Sequence, residues 1–224
     1  MDTKKIRSSP VGMSWKSIVK KTFKTLQLTG DFAQTLGQPE TGGLWLIYGE
    51  EKMGKTTFAL QLAQELAITK KVLYVMAEQG LDSDFVSVVK REISGGKIRM
   101  SGYIPIEVLK ETLSKKRQSD VVIIDNATAY KYELKYPDLV GLLNSFKNKL
   151  FILLAHEVNG EVYTNTARMA RMMAKRVIHV VGNMATVDGR SEGGAIIINR
   201  ERAHLYHGTA SLNSSEGGTL KSED

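Results

Sequence analysis

Residues 44–57 read LWLIYGEEKMGKTT, an apolar run that stops at Gly49 and gives way to charge, glycine, lysine and two threonines. Residues 44–48 have the continuous apolar character of a strand buried on both faces. Beyond the break, Phe58, Leu62 and Leu66 with Ala59 and Ala63 recur at helical spacing. The nine residues between, GEEKMGKTT, fit the pattern G-x-x-x-x-G-K-[ST] in the setting that it needs, after a strand and before a helix. Its glycines let the backbone curl so that successive N–H groups point inward at phosphate oxygens, and the helix N-terminus adds its positive end. Gly49, Glu50, Glu51, Lys52, Met53, Gly54, Lys55, Thr56 and Thr57 are therefore the candidate phosphate cradle. Lys55 is expected to reach the β- and γ-phosphates, and the Thr56 hydroxyl to ligate Mg²⁺. Glu50 and Glu51 are unusual in such a loop, since acids beside a polyphosphate repel it unless they point away.

The rest of the chain sets bounds on this reading. Its 224 residues, 42% hydrophobic and 25% charged, suffice for one substantial core. No window approaches the ~18 apolar residues of a membrane span, and no apolar signal core follows the lysine-rich start, so a soluble, cytoplasmic protein is expected. With no cysteine, disulfides and thiol chemistry are excluded. A formal charge of +7 and a pI near 9.4 favour an anionic partner.

Apolar runs alternate with helical stretches along the chain. GLWLIYG, KKVLYVMAE, KIRMSG, DVVIID, LFILLAH, RVIHVVG and GGAIIINR read as strands, with helices expected after the loop, over about 82–93, in IEVLKETLSKKR and in PDLVGLLNSFKNK. This pattern predicts an α/β fold, a mostly parallel twisted sheet flanked by helices on both faces, with a C-terminal β-hairpin. Residues 1–26 read as a basic arm, in which Trp15, Ile18, Val19 and Phe23 form the apolar side of a short helix. Residues 27–209 form the core, and the polar, glycine- and serine-rich residues 210–224 a disordered tail.

Two acids complete a nucleotide site. Asp125 ends the apolar strand VVIID, where a carboxylate can hold Mg²⁺ from the side opposite Thr56. Glu78 follows the strand after the loop helix and would share the crevice at the strands' carboxyl ends, where it could activate water.

Taken together, GEEKMGKTT, YVMAEQGLD, VVIIDNA and FILLAHEVNG resemble the core of the RecA-like ATPases, the superfamily of RecA, RadA, KaiC and the DnaB-type helicases. The resemblance, spanning about residues 27–209, implies ATP as the nucleotide and Glu78 as the catalytic base. It implies that His156 senses the γ-phosphate. GGAIIINRERAHLYHGT is similar to a terminal hairpin whose basic pair, here Arg200 and Arg202, reaches the neighbouring subunit's nucleotide. A homo-oligomer, ring or filament, with active sites shared between protomers is then expected. The appended modules of the named members are absent from the sequence, so the expectation is a minimal motor core.

In that superfamily, DNA-contacting loops follow the strands of Asp125 and His156. After the first, Tyr130 and Tyr132 alternate with Lys131 and Lys135, a pairing of stacking faces with phosphate-neutralising charge. After the second, Arg168, Arg171 and Lys175 recur at three- and four-residue spacing on one helix face. Single-stranded DNA is therefore the expected partner, in recombination or replication. Met169, Met172 and Met173 are expected to pack that helix on the sheet, and His179 and His204, in strand-like runs, to be structural. The alternatives are a monomeric P-loop phosphotransferase acting on a small acceptor, and a regulatory module whose ATP-dependent assembly is its output.

Overall fold

The computed structural model describes residues 12–78, 80–189 and 193–208. Part of the expected arm, residues 1–11, and the whole of the expected tail lie outside the described residues. The strands are β1 Gly43–Gly49, β2 Val72–Met76, β3 Ile98–Ser101, β4 Val121–Asp125, β5 Leu150–Val158, β6 Glu161–Val162, β7 Arg176–Val181, β8 Met184–Gly189 and β9 Gly194–Ile197. The helices are α1 Trp15–Val19, α2 Gly30–Leu36, α3 Lys55–Leu66, α4 Ser83–Glu92, α5 Ile106–Ser114, α6 Tyr136–Ser145, α7 Asn165–Met173 and α8 Arg200–His207.

Across the sheet the order is β3-β2-β4-β5-β1-β7-β8-β9, with the short β6 paired to the end of β5. The pairs from β3 to β7 are parallel, and β7, β8 and β9 are joined antiparallel. The expected hairpin is thus a three-stranded meander. Its middle strand, MATVDG, escaped the sequence reading because alanine, threonine, aspartate and glycine dilute the apolar signal.

Alternation along each strand feeds two cores. On β1, Trp45 and Ile47 face one layer with Phe58, Leu62 and Leu66 of α3, while Leu44, Leu46 and Tyr48 face the other, with Leu109 of α5, Leu139 of α6 and Ala167 of α7. Each fully buried side chain of this size contributes about 1.5–3 kcal/mol. Because both faces of β1, β4 and β5 are covered, polar chemistry is confined to the strand ends.

Two local expectations fail, and one helix was not foreseen. The arm's helix covers only Trp15–Val19, and Trp15, Ile18, Val19 and Phe23 are all more than half exposed. Residues 30–36, without strong periodicity, form α2, which packs on β9 and supplies Leu36 to the core. RERAHLYH is helical, not a strand of a hairpin, because Asn199 caps its start by accepting the Arg202 N–H at 2.9 Å. His204 consequently lies on an exposed helix and not in a strand.

Candidate active site

At Gly49 the next strand leaves no room for a side chain, since a Cβ there would collide with the Val180 carbonyl of β7. The chain then turns through Lys52 and Gly54, whose φ angles of 62° and 104° are left-handed, and α3 starts at Lys55. Its first N–H groups therefore open on a cleft of about 400 Å³. Glu51, Lys52, Gly54, Lys55, Thr56 and Thr57 line this cleft. Gly49, Glu50 and Met53 do not. Glu50 is exposed, so its charge stands off the cleft, whereas Glu51 is at its rim. Met53 packs inward against the core, its carbonyl accepting the Asn183 N–H at 2.9 Å, which fixes the loop to the β7–β8 turn.

Lys55 is only 8% exposed, and its Nζ donates to the carbonyl oxygens of Gly49 and Glu50 at 3.0 and 2.6 Å. Burial pushes its pKa down, and the charges of Asp125, Glu51, Glu157 and Glu78 oppose that shift. A polyphosphate would supply the missing counter-charge.

Facing it, Asp125 closes β4. Its Oδ2 accepts hydrogen bonds from Thr56 Oγ1 at 2.9 Å and from the Tyr74 hydroxyl at 2.7 Å. Burial pushes the Asp125 pKa up, and the two hydrogen bonds and Lys55 pull it back. Tyr74 is fully buried, and burial together with Asp125 raises its own pKa. Sequence reasoning passed over Tyr74. The signal was present, because a tyrosine inside an otherwise apolar strand brings a hydroxyl that must find a partner.

Glu78 lies just past β2 and joins the same cleft; its neighbour Gln79 is outside the described residues. Its Oε2 accepts from Asn126 Nδ2 at 2.7 Å and lies 3.3 Å from His156 Nε2. Asn126 is 4% exposed, and its Oδ1 accepts from the Thr128 N–H and hydroxyl, so its amide is held on both sides. Asn126 too went unremarked in the sequence, although it follows the strand-end acid directly. His156 reaches this point because β5 runs between β4 and β1, in register with Gly49. Lys55 and Thr56, at the start of α3, meet Glu78, Asp125 and His156, toward the carboxyl ends of β2, β4 and β5, in one cleft.

The next residue on β5 points away. Glu157 is buried and sits 2.6 Å from His179 Nε2, and His179 stacks on Tyr48 with ring centroids 4.5 Å apart. Arg171 of α7 lies 5.0 Å over the Tyr48 ring.

Several nucleic-acid candidates lie elsewhere than expected. Tyr130 is fully buried and donates to the Ile104 carbonyl at 2.7 Å, so it has no face for a base. Lys175 is past the end of α7, paired with Glu40 at 2.6 Å, and does not share a helix face with Arg168 and Arg171. Tyr132 is 77% exposed, with Lys131 Nζ 4.9 Å over its ring, and Lys135 and Arg168 are exposed. Met172 is 81% exposed instead of packed, while Met173 does pack on the sheet. Arg202, from α8, lines its own chain's cleft.

The crystal structure of the flagellar accessory protein FlaH from Methanocaldococcus jannaschii has the same architecture, with a TM-score of 0.54 over 76% of this chain and 88% of that one, at 18% identity. The chain carries the RecA-like P-loop fold. In sequence it is similar to the DNA repair protein RadA of Listeria monocytogenes, 29% identical over 90 residues, which are 40% of this chain and 20% of that protein. It is also similar to the signal recognition particle 54 kDa proteins of Methanococcus vannielii and Methanococcus maripaludis, 25% and 27% identical over 84% of this chain and 43% of each relative. The chain thus spans less than half the length of the curated relatives that it matches. No protein-family model matches it.

The cleft fits a nucleotide with a hard divalent cation. The Thr56 hydroxyl and the Asp125 carboxylate meet at one point beside the Lys55 ammonium, an all-oxygen donor pair of the kind that Mg²⁺ takes while phosphates and water fill its other positions. Among the described residues, no cluster of three or more His, Cys, Asp or Glu could hold a metal ion. Among the described residues no helix is long and apolar enough to cross a membrane.

Proposed function

We propose that this chain is a Mg²⁺-dependent ATPase of the RecA-like kind that couples hydrolysis to single-stranded DNA, in recombination or replication. The observation that carries the reading is the placement of Glu78, fixed by Asn126 and His156, in the cleft that Lys55, Thr56 and Asp125 define. In this role the loop N–H groups and Lys55 bind the β- and γ-phosphates. Thr56 and Asp125 hold Mg²⁺, which when bound neutralises charge building on the phosphates. Glu78 takes a proton from the attacking water, worth typically about 10²–10⁴ in rate. His156, hydrogen-bonding distance from Glu78, reports the γ-phosphate to β5 and the segment that follows it. Arg202 adds positive charge from its own chain.

Tyr132, Lys131, Lys135 and Arg168 remain exposed beyond the strands of Asp125 and His156, and they support contact with unpaired bases and their phosphates. A homo-oligomer, ring or filament, is part of the proposal, because the exposed Trp15, Ile18, Val19 and Phe23 give a second copy an apolar surface to cover. The test of the coupling is steady-state ATP hydrolysis with and without single-stranded DNA. A rate raised several-fold by DNA in the wild type, and no longer raised in Lys131→Glu/Arg168→Glu, supports the proposal; a rate indifferent to DNA rejects it.

A further inference from the structure

Part of the positive charge at the loops where DNA contacts were expected is engaged within the chain. Arg171 rests over Tyr48 and Lys175 is paired with Glu40. At the opposite end of the sheet, where β2, β3 and β4 begin, Lys71, Lys97, Arg99 and Arg117 surround a cavity of about 300 Å³. Its other lining groups are neutral, and no carboxylate is among them. Lys97, just before β3, and Arg99 on it are two positions apart and so fall on one side of the extended chain. Arg117 sits in the turn between α5 and β4, with φ 63°, and its carbonyl accepts from Lys71 Nζ at 3.0 Å, which ties the turn to the start of β2. Among the described residues Lys97, Arg99 and Arg117 form no ion pair.

Asp120, the residue before β4, is already engaged, its Oδ2 accepting the Lys71 N–H at 3.0 Å. Asp120 also lines a second cavity, together with Lys24, Lys70 and Lys147. Glu40, also at that cavity, is bonded to Lys175. Beneath the rim Lys149 donates to the Ser119 carbonyl at 2.6 Å, and its pKa is lowered by burial, a shift that Asp120 opposes and Lys71 adds to.

We propose that this rim is a binding track for the phosphate backbone of single-stranded nucleic acid, separate from the ATP cleft. Two basic cavities, linked where Asp120 in the wall of the second accepts the Lys71 N–H of the first, suit an occupant that presents phosphates at intervals, and their concave walls do not suit a flat bilayer. Rows of cations without counter-ions bind a backbone chiefly by releasing its condensed ions, so the contact is sequence-tolerant and falls steeply with salt. The track rests on, and deepens, the nucleic-acid part of the proposed function, giving the strand a second hold on the face away from the nucleotide.

The test uses the full chain and labelled oligo(dT), with affinity measured across about 50 to 200 mM salt. Arg99→Glu/Arg117→Glu is expected to weaken binding at least about tenfold and to reduce the slope of log affinity against log salt by about 1.4, from two lost phosphate contacts at about 0.7 each. Its binding of a fluorescent ATP analogue should remain as in wild type, which shows that the fold is intact. If that variant binds oligo(dT) like wild type while Lys131→Glu/Arg168→Glu loses affinity, the track is wrong and the loop contacts stand. If wild type binds no oligo(dT), both the track and the DNA coupling are wrong. If inorganic tripolyphosphate or phosphatidylglycerol vesicles bind the rim and oligo(dT) does not, the backbone assignment is overturned.

Discussion

The Tyr74 hydroxyl donates to Asp125 Oδ2 over 2.7 Å, from a side chain that no solvent reaches. With Thr56 on the same oxygen, the carboxylate is held at one end by two donors, and its orientation toward the cleft is fixed. Phe85 of α4 packs against the Tyr74 ring, with centroids 6.0 Å apart, and keeps the hydroxyl in place. Tyr74→Phe retains the ring and removes the bond. A hydrogen bond to a charged group is worth about 1.5–3 kcal/mol, so the Mg²⁺ concentration that half-saturates nucleotide binding should rise by about tenfold or more. Binding of a fluorescent nucleotide in EDTA should not change, and titrating Mg²⁺ into both proteins checks the difference.

Lys55 carries its charge at a cost, since burial disfavours the ammonium. Lys55→Met should abolish the rise in melting temperature that Mg-ATP gives the wild type, yet leave the melting temperature without nucleotide no lower. Thermal denaturation with and without Mg-ATP measures both.

Asp125 sets a pH dependence of definite sign. Its folded pKa is raised above the unfolded value, so the folded state holds the proton more tightly. Stability from this group is present below the unfolded carboxylate value and is lost as pH rises through the raised folded value. Asp125→Asn keeps an oxygen for Thr56 and Tyr74 and removes the titration. In EDTA the variant should melt above wild type at pH 7, by about 2–4 °C for each kcal/mol gained, and the gap should close toward pH 4. Melting curves at the two pH values decide it.

Asn126 should matter to rate more than to affinity. Asn126→Ala releases Glu78 Oε2 from its 2.7 Å bond without touching the phosphate loop. The expected result is a turnover number lower by about tenfold with nucleotide affinity within about twofold, a fraction of the 10²–10⁴ that loss of a general base costs. Steady-state kinetics beside equilibrium nucleotide binding separates the two.

The exposed Trp15 and Phe23 bear on assembly. If the proposed homo-oligomer forms through them, Trp15→Ser/Phe23→Ser should shift it toward monomer in light scattering, with the melting temperature almost unchanged because neither side chain is in the core.

The fold was legible where the sequence carried periodic apolar signals. The continuous strands 44–48, 121–124 and 150–155 could be buried on both faces in only one class of sheet, and the break at Gly49 marked its phosphate-binding edge. Glu78 and Asp125 were legible for the same reason, since strand ends in such a sheet converge, and His156 through the resemblance to the RecA-like ATPases. β8 was not, because MATVDG has no apolar run, nor was α8, whose cap Asn199 outweighed the strand-like residues before it. Tyr130 and Tyr132 look alike in the sequence. Only tertiary packing sends one into the core and leaves the other exposed, and a similar distinction separates Lys175, beyond its helix, from Arg168 on it. Asn126 and Tyr74 act through single hydrogen bonds, which periodicity does not report.

In the proposed function, the cleft bounded by Lys55, Asp125 and Glu78 hydrolyses ATP with Glu78 as its base. Steady-state ATP hydrolysis by wild type and Glu78→Gln, beside equilibrium binding of ATP to both, decides that role. The expected result is turnover by wild type, a loss of about 10²–10⁴-fold in the variant, and ATP bound equally by the two. A variant that hydrolyses ATP at the wild-type rate would contradict it.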